Sequence, residues 1–174
     1  IKGQPYQTEQ ASLQLKVDVA KHLSLMHQVT QAQFTPWKLL DTKQPVADNW
    51  PLHYLNWLQT LQACLLTHGK TPNWAQDVLR AFIQKQPELF QVLINDQPTL
   101  VHADPSNDNT IVDGDHFVGL IDPFEVGFYH KELDLIHVFE YDFELLTTYI
   151  ELTEPLKGKW QTRLAYMSFA MHLY

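Results

Sequence analysis

Apolar residues return at helical spacing between Glu9 and His27, first as Leu13, Val17 and Ala20 and again as Leu15, Val19, Leu23 and Met26. This predicts a helix of about five turns. From Leu52 to His68 the series Leu55, Leu58, Leu61 and Leu65 predicts a second helix, with Gly69 where a C-terminal cap belongs. The stretch between them, Phe34 to Pro51, carries Pro36, Pro45 and Pro51 with little periodicity, so an extended surface connection is expected. Val78, Ala81 and Phe82 predict a third helix over Trp74–Gln84, and Pro87 is placed to open a short fourth one, Glu88–Leu93. The period then changes. Thr99–His102 is β-like, and Thr110–Val112 and His116–Asp122 flank Asp113-Gly114-Asp115, the residue types of a tight hairpin turn. Helical patterns resume over Lys131–Leu152 and from Lys159 onward. The expected class is α+β: mostly helical, with one small β-hairpin two thirds of the way along and no internal repeat.

Composition narrows the picture. The 174 residues, 45% hydrophobic and 12% aromatic, suffice for one cooperatively folding core. No run approaches the roughly 20 apolar residues of a membrane span, and the start lacks the basic-then-apolar order of a secretory signal, so a cytoplasmic protein with no membrane partner is expected. Cys64 is the single cysteine, which excludes an internal disulfide; beside Leu61, Leu65 and Leu66 it reads as a small core residue. A formal charge of -8 argues against a nucleic-acid partner and mildly favours an amine-bearing one. Nine histidines invite a zinc reading, but His-Glu-x-x-His is absent, and His130 and His137 stand seven apart on a predicted helix, too far for one ion. They read as surface or core filler. Trp50, Tyr54 and Trp57, spaced by three and four, read as a core stripe rather than a substrate groove. The chain starts at Ile1 without methionine and stops at Tyr174 inside the apolar stretch Leu164–Tyr174, which reads as a piece of a longer protein.

The chemistry concentrates between Leu100 and Leu135. There His102-Ala103-Asp104 is followed by Asn109, five positions after the aspartate, then by the hairpin, then by Ile121-Asp122-Pro123 at the end of an apolar strand. Phosphoryl transfer to a hydroxyl needs a carboxylate to orient the hydroxyl and accept its proton, and oxygen ligands for magnesium. Asp104, Asn109 and Asp122 supply that set. Five residues let one loop present both Asp104 and Asn109, and a hairpin can return Asp122 to the same place. The bland alternative is a polar loop of Asx turns for Asp104 and Asn109. For Asp122 it is a strand-end cap, which would set a carboxylate beside a core without a partner. Glu125 and Asp108 read as solvated loop charges.

In these residues the chain resembles the protein-kinase-like phosphotransferases that include aminoglycoside, choline and fructosamine kinases. Their catalytic loop runs His-Gly-Asp, four residues, Asn, and their metal aspartate follows a hairpin in Ile-Asp-Phe or Ile-Asp-Pro. Glu132-Leu133-Asp134-Leu135 is similar to the acidic-apolar helix start of that superfamily. The fructosamine kinase branch is the nearest look-alike, through Asp122-Pro123 and through Pro155-Leu156, Trp160 and Arg163. Ala103 and Pro105-Ser106 depart from that branch's Gly-Asp-Leu-Trp.

The resemblance implies a kinase using ATP and Mg2+ to phosphorylate a small-molecule acceptor. Asp104 would be the base, Asn109 and Asp122 the metal ligands, and His102 and Asp134 supporting residues, His102 by holding the loop through hydrogen bonds. It covers only the C-terminal lobe, over residues 1–174. No glycine cluster or strand lysine of an ATP-binding lobe is present, and Lys2-Gly3-Gln4-Pro5 reads as the tail of a hinge. A non-catalytic, degenerate lobe that binds a partner is the rival reading.

Overall fold

The computed structural model describes residues 2–36, 59–60, 62–65, 67, 72–91, 93, 96–124, 126–153 and 159–171. The first expected helix forms as α1, Leu13–Met26, after a 3-10 turn at Thr8–Gln10. It starts at Leu13 because the Ser12 side chain accepts the Leu15 N–H at 3.1 Å, satisfying one of the amides that a helix start leaves unpaired. Leu15, Val19 and Leu23 form its buried stripe, whereas Leu13 lies outside it and is exposed. Most of the expected second helix lies outside the described residues, as do Trp50, Tyr54 and Trp57; its described part, residues 59–60, 62–65 and 67, is helical. Cys64 is exposed there rather than in the core. Successive helical positions lie about 100° apart, so adjacency in sequence to half-buried Leu65 does not put Cys64 on the same face.

Helix α2, Asn73–Phe90, runs through Pro87 instead of ending before it, so the expected third and fourth helices are one. Proline forfeits a single backbone bond, and that loss does not break the element here. The remaining helices are α3 (Glu132–Tyr141), α4 (Phe143–Leu152) and α5 (Trp160–Met171). The predicted run Lys131–Leu152 is split at Asp142, which leaves helical geometry and caps α4 by accepting the Leu145 N–H at 2.9 Å. Asp142 is buried. It also accepts from the Tyr6 hydroxyl at 2.6 Å and pairs with the buried ammonium of Lys16 at 3.2 Å. Burial pushes the Tyr6 hydroxyl's pKa up, and its bond to Asp142 pushes it further. Burial alone would lower the pKa of Lys16, but Glu144 and Asp142 outweigh it and raise it.

Two small antiparallel sheets complete the fold. In one, β1 (Gln4–Pro5) pairs with β4 (Thr110–Asp113), which pairs with β5 (His116–Leu120). The expected hairpin is therefore present, with Gly114 in the left-handed turn at φ +58°. The segment expected to be a hinge tail adds the third strand, and Gly3 is required there by close approach: a Cβ would sit 2.6 Å from the Ile111 side chain and 2.9 Å from the Val112 carbonyl oxygen. In the other sheet β6 (Gly127–Tyr129) lies between β2 (Thr35–Pro36) and β3 (Thr99–Val101). The core runs from Tyr6 and α1 through Leu135, Ile136, Leu145, Leu146 and Tyr149 to Met167. Among the described residues no helix is long and apolar enough to cross a membrane.

Candidate active site

Strand β3 delivers the chain into His102-Ala103-Asp104, and the loop closes on itself before β4. Ser106 accepts the N–H groups of Asn109 and Thr110 and the Thr110 hydroxyl, at 2.9 to 3.1 Å. Asn109 reaches back five residues: its side-chain amide donates to the Asp104 carbonyl at 3.0 Å and to Asp104 Oδ2 at 2.9 Å. Both residues are half-buried. Among the described residues this leaves Asp104 Oδ1 and Asn109 Oδ1 as the unspent acceptors of the pair. His137, on α3, brings Nδ1 to 3.9 Å from Asp104 Oδ1.

The hairpin register sets Thr110 opposite Leu120, and the Ile121 N–H donates to the Asn109 carbonyl at 3.0 Å. The residue following that bond is Asp122, so the fold joins the strand end carrying Asp122 to the loop carrying Asp104 and Asn109. Asp122 is exposed and takes φ +52°, and its carboxylate has no hydrogen-bond or ion-pair partner among the described residues. A residue held in the left-handed region at a site edge costs free energy that packing elsewhere must offset. Asp108 is exposed, and Glu125 lies outside the described residues.

Asp134, in the first turn of α3, is fully buried beneath the loop. Its two oxygens accept the main-chain N–H groups of His102 at 3.0 Å and Ala103 at 2.7 Å. His27 Nε2 lies 3.0 Å from the same carboxylate, and His27 Nδ1 lies 2.7 Å from the Tyr149 hydroxyl. An imidazole protonated on Nε2 satisfies every member of this chain, donating to Asp134 and accepting from Tyr149. Burial pushes the Tyr149 hydroxyl's pKa up, helped by Glu132 and Asp134 nearby. His102 holds the loop through its peptide N–H, while neither ring nitrogen has a hydrogen-bond partner among the described residues. Sequence reading missed His27 and Tyr149, because nothing in the pattern around either distinguishes a network member from a core residue.

Ala103 adopts φ +68°, the left-handed conformation that glycine takes without strain. Ala103→Gly is therefore expected to be tolerated, whereas the β-branched side chain of Ala103→Val should cost about 2 kcal/mol in urea denaturation. A Val variant as stable as the starting protein would show that the loop conformation is not fixed.

A family model described as a phosphotransferase enzyme family matches residues 1–162. No curated protein matches the chain. Among solved structures, APH(2'')-IIa in ternary complex with streptomycin and ATP aligns with a TM-score of 0.65 and 18% identity, over 95% of this chain and 58% of that one. A protein assigned as a fructosamine-3-kinase from Thermobifida fusca aligns with a TM-score of 0.61 and 19% identity, over 99% and 60%. The macrolide 2'-phosphotransferase MphH from Brachybacterium faecium gives 0.64 and 12%, over 99% and 60%. The chain thus spans less than two thirds of each of these structures and shares their mixed helix-and-sheet, kinase-like fold.

Proposed function

Because the chain belongs to the phosphotransferase enzyme family, we propose that it is the C-terminal lobe of a kinase that transfers the γ-phosphoryl group of ATP to a hydroxyl of an amine-bearing small molecule. The carrying observation is that Asp104 and Asn109 are tied in one loop to which the Asp122 strand end is bonded, while Asp104 Oδ1, Asn109 Oδ1 and the Asp122 carboxylate accept no hydrogen bond among the described residues. A free carboxylate and an amide oxygen fit Mg2+, which takes few protein ligands and completes its shell with water and phosphate oxygens. Asn109 and Asp122 would hold it, and it would neutralise charge developing on the β- and γ-phosphates.

Asp104 acts through Oδ1, which accepts the hydrogen bond of the acceptor hydroxyl and aims its oxygen at phosphorus. As the new O–P bond forms and the bond to the β-phosphate oxygen breaks, the hydroxyl proton passes to this carboxylate and ADP departs. Asn109 holds Oδ2 so that Oδ1 faces outward. Exposed Val118, Ile121 and Phe124 around Asp122 support a second lobe or the nucleotide covering this face. The charge of -8, and the streptomycin and fructosamine in the names of the similar structures, support an amino-sugar or ketosamine acceptor.

The test is coupled detection of ADP with ATP, Mg2+ and a panel of aminoglycosides, ketosamines and amino alcohols. Acceptor-dependent ADP release is expected from protein that also carries a nucleotide-covering lobe, and none from these 174 residues alone. No release from the two-lobed protein would overturn the activity. Turnover by the isolated chain would overturn its assignment as one lobe.

A further inference from the structure

At the opposite end of β3 from the catalytic loop, a cavity of about 510 Å³ opens beside the end of α1 and between α4 and α5. Asp96, His130 and Arg163 are among its walls. Asp96, His130 and the adjoining Glu132 each offer one ligand atom, and these atoms lie within 4.8 Å of one another. Arg163 donates to one oxygen of each carboxylate, Glu132 Oε1 and Asp96 Oδ2. Glu132 is 1% exposed and its Oε2 has no hydrogen-bond partner among the described residues; His130 is 2% exposed and neither of its ring nitrogens has one there. His130 Nδ1 approaches Asp96 Oδ2 only to 3.5 Å. Buried polar atoms are almost always partnered, so Glu132 Oε2 and a ring nitrogen of His130, both unpartnered among the described residues beside a cavity, point to something that binds them.

We propose that Asp96, His130 and Glu132 form a site for a divalent transition-metal ion, zinc in the first instance, separate from the phosphoryl-transfer centre. An imidazole with two carboxylates is a zinc-type donor set, whereas magnesium takes oxygen donors. Three protein donors leave a fourth position for water from the cavity, and Arg163 is the outer partner that orients both carboxylates. Arg163 and Lys131 offset the charge of the two acids, so affinity rests on inner coordination. Asp96 lies before β3 and is 36 residues from Glu132 in the chain, which is why no spacing motif marks the site.

The test is calorimetric titration of the purified protein with ZnCl2, repeated in an Asp122→Ala background so that zinc at the phosphoryl-transfer centre does not contribute. One ion per chain is expected in the Asp122→Ala background. His130→Phe preserves the ring that packs on Phe34, centroids 4.9 Å apart, while removing both nitrogens, and should weaken binding about 100-fold; Glu132→Gln should weaken it by at least about 10-fold. Unaltered zinc affinity in a folded His130→Phe protein, or no zinc binding in the Asp122→Ala background, overturns the proposal. If His130→Phe does not fold, cobalt(II) reads the site in the Asp122→Ala protein. Intense visible bands of a four- or five-coordinate ion support it, and only the weak bands of the six-coordinate hydrated ion overturn it.

Discussion

Replacing Asp104 with asparagine in the two-lobed protein is expected to lower phosphoryl transfer by about 10³-fold, with the fold unchanged. Asparagine keeps the shape and still accepts a hydrogen bond, so acceptor binding should persist, yet it cannot take the hydroxyl proton. Asp104 is half-buried in a loop closed by Ser106 and Asn109, and its contribution to that closure includes the main-chain carbonyl, which the substitution retains. Circular dichroism should therefore be unaltered. Asp122→Ala is expected to lose a comparable factor through the nucleotide and magnesium, and raising the magnesium concentration should recover part of it. Its side chain is exposed and supports nothing else among the described residues, so a collapsed fold would reassign it to structure. Near-normal turnover in either variant would refute the role given to that residue.

The hairpin and the loop were legible because their signals are local: Asp113-Gly114-Asp115 specifies a turn, and five residues between Asp104 and Asn109 bound their separation. From those two facts the approach of the Asp122 strand end follows. What escaped depends on partners distant in the chain. Glu132 and Asp134 were legible only as an acidic helix start, and their burial was not, because the loop before Asp104 and the side chain of Arg163 come to meet them from distant parts of the chain. Strand β6 has only three residues, Gly127–Tyr129, and too little pattern to register as a period of two. Pro87 escaped because it lies inside α2, where its signal as a helix start does not end the helix. His102 and Ala103 hold the loop through their peptide N–H groups, which no residue identity encodes.

Asp134 carries the largest expected effect on stability. Its carboxylate is wholly buried and receives the N–H groups of His102 and Ala103 together with His27 Nε2. Asp134→Ala leaves three donors without an acceptor in a dry place, and the loss should be about 3–5 kcal/mol in urea denaturation. Asp134→Asn is the more telling substitution. It preserves volume and one acceptor oxygen, but its amide NH2 must face either a peptide N–H or His27, so a donor meets a donor. A cost of about 2 kcal/mol is expected. Because the two peptides it holds immediately precede Asp104, the Asn variant should also lose kcat under conditions where it is fully folded, with KM for ATP little changed, since Asp134 touches neither Asn109 nor Asp122, the proposed magnesium ligands. A purely structural role would lower stability and leave kcat per folded molecule intact. An Asn variant within about 1 kcal/mol of the starting protein and with unaltered kcat would show that the loop is positioned by its internal bonds alone.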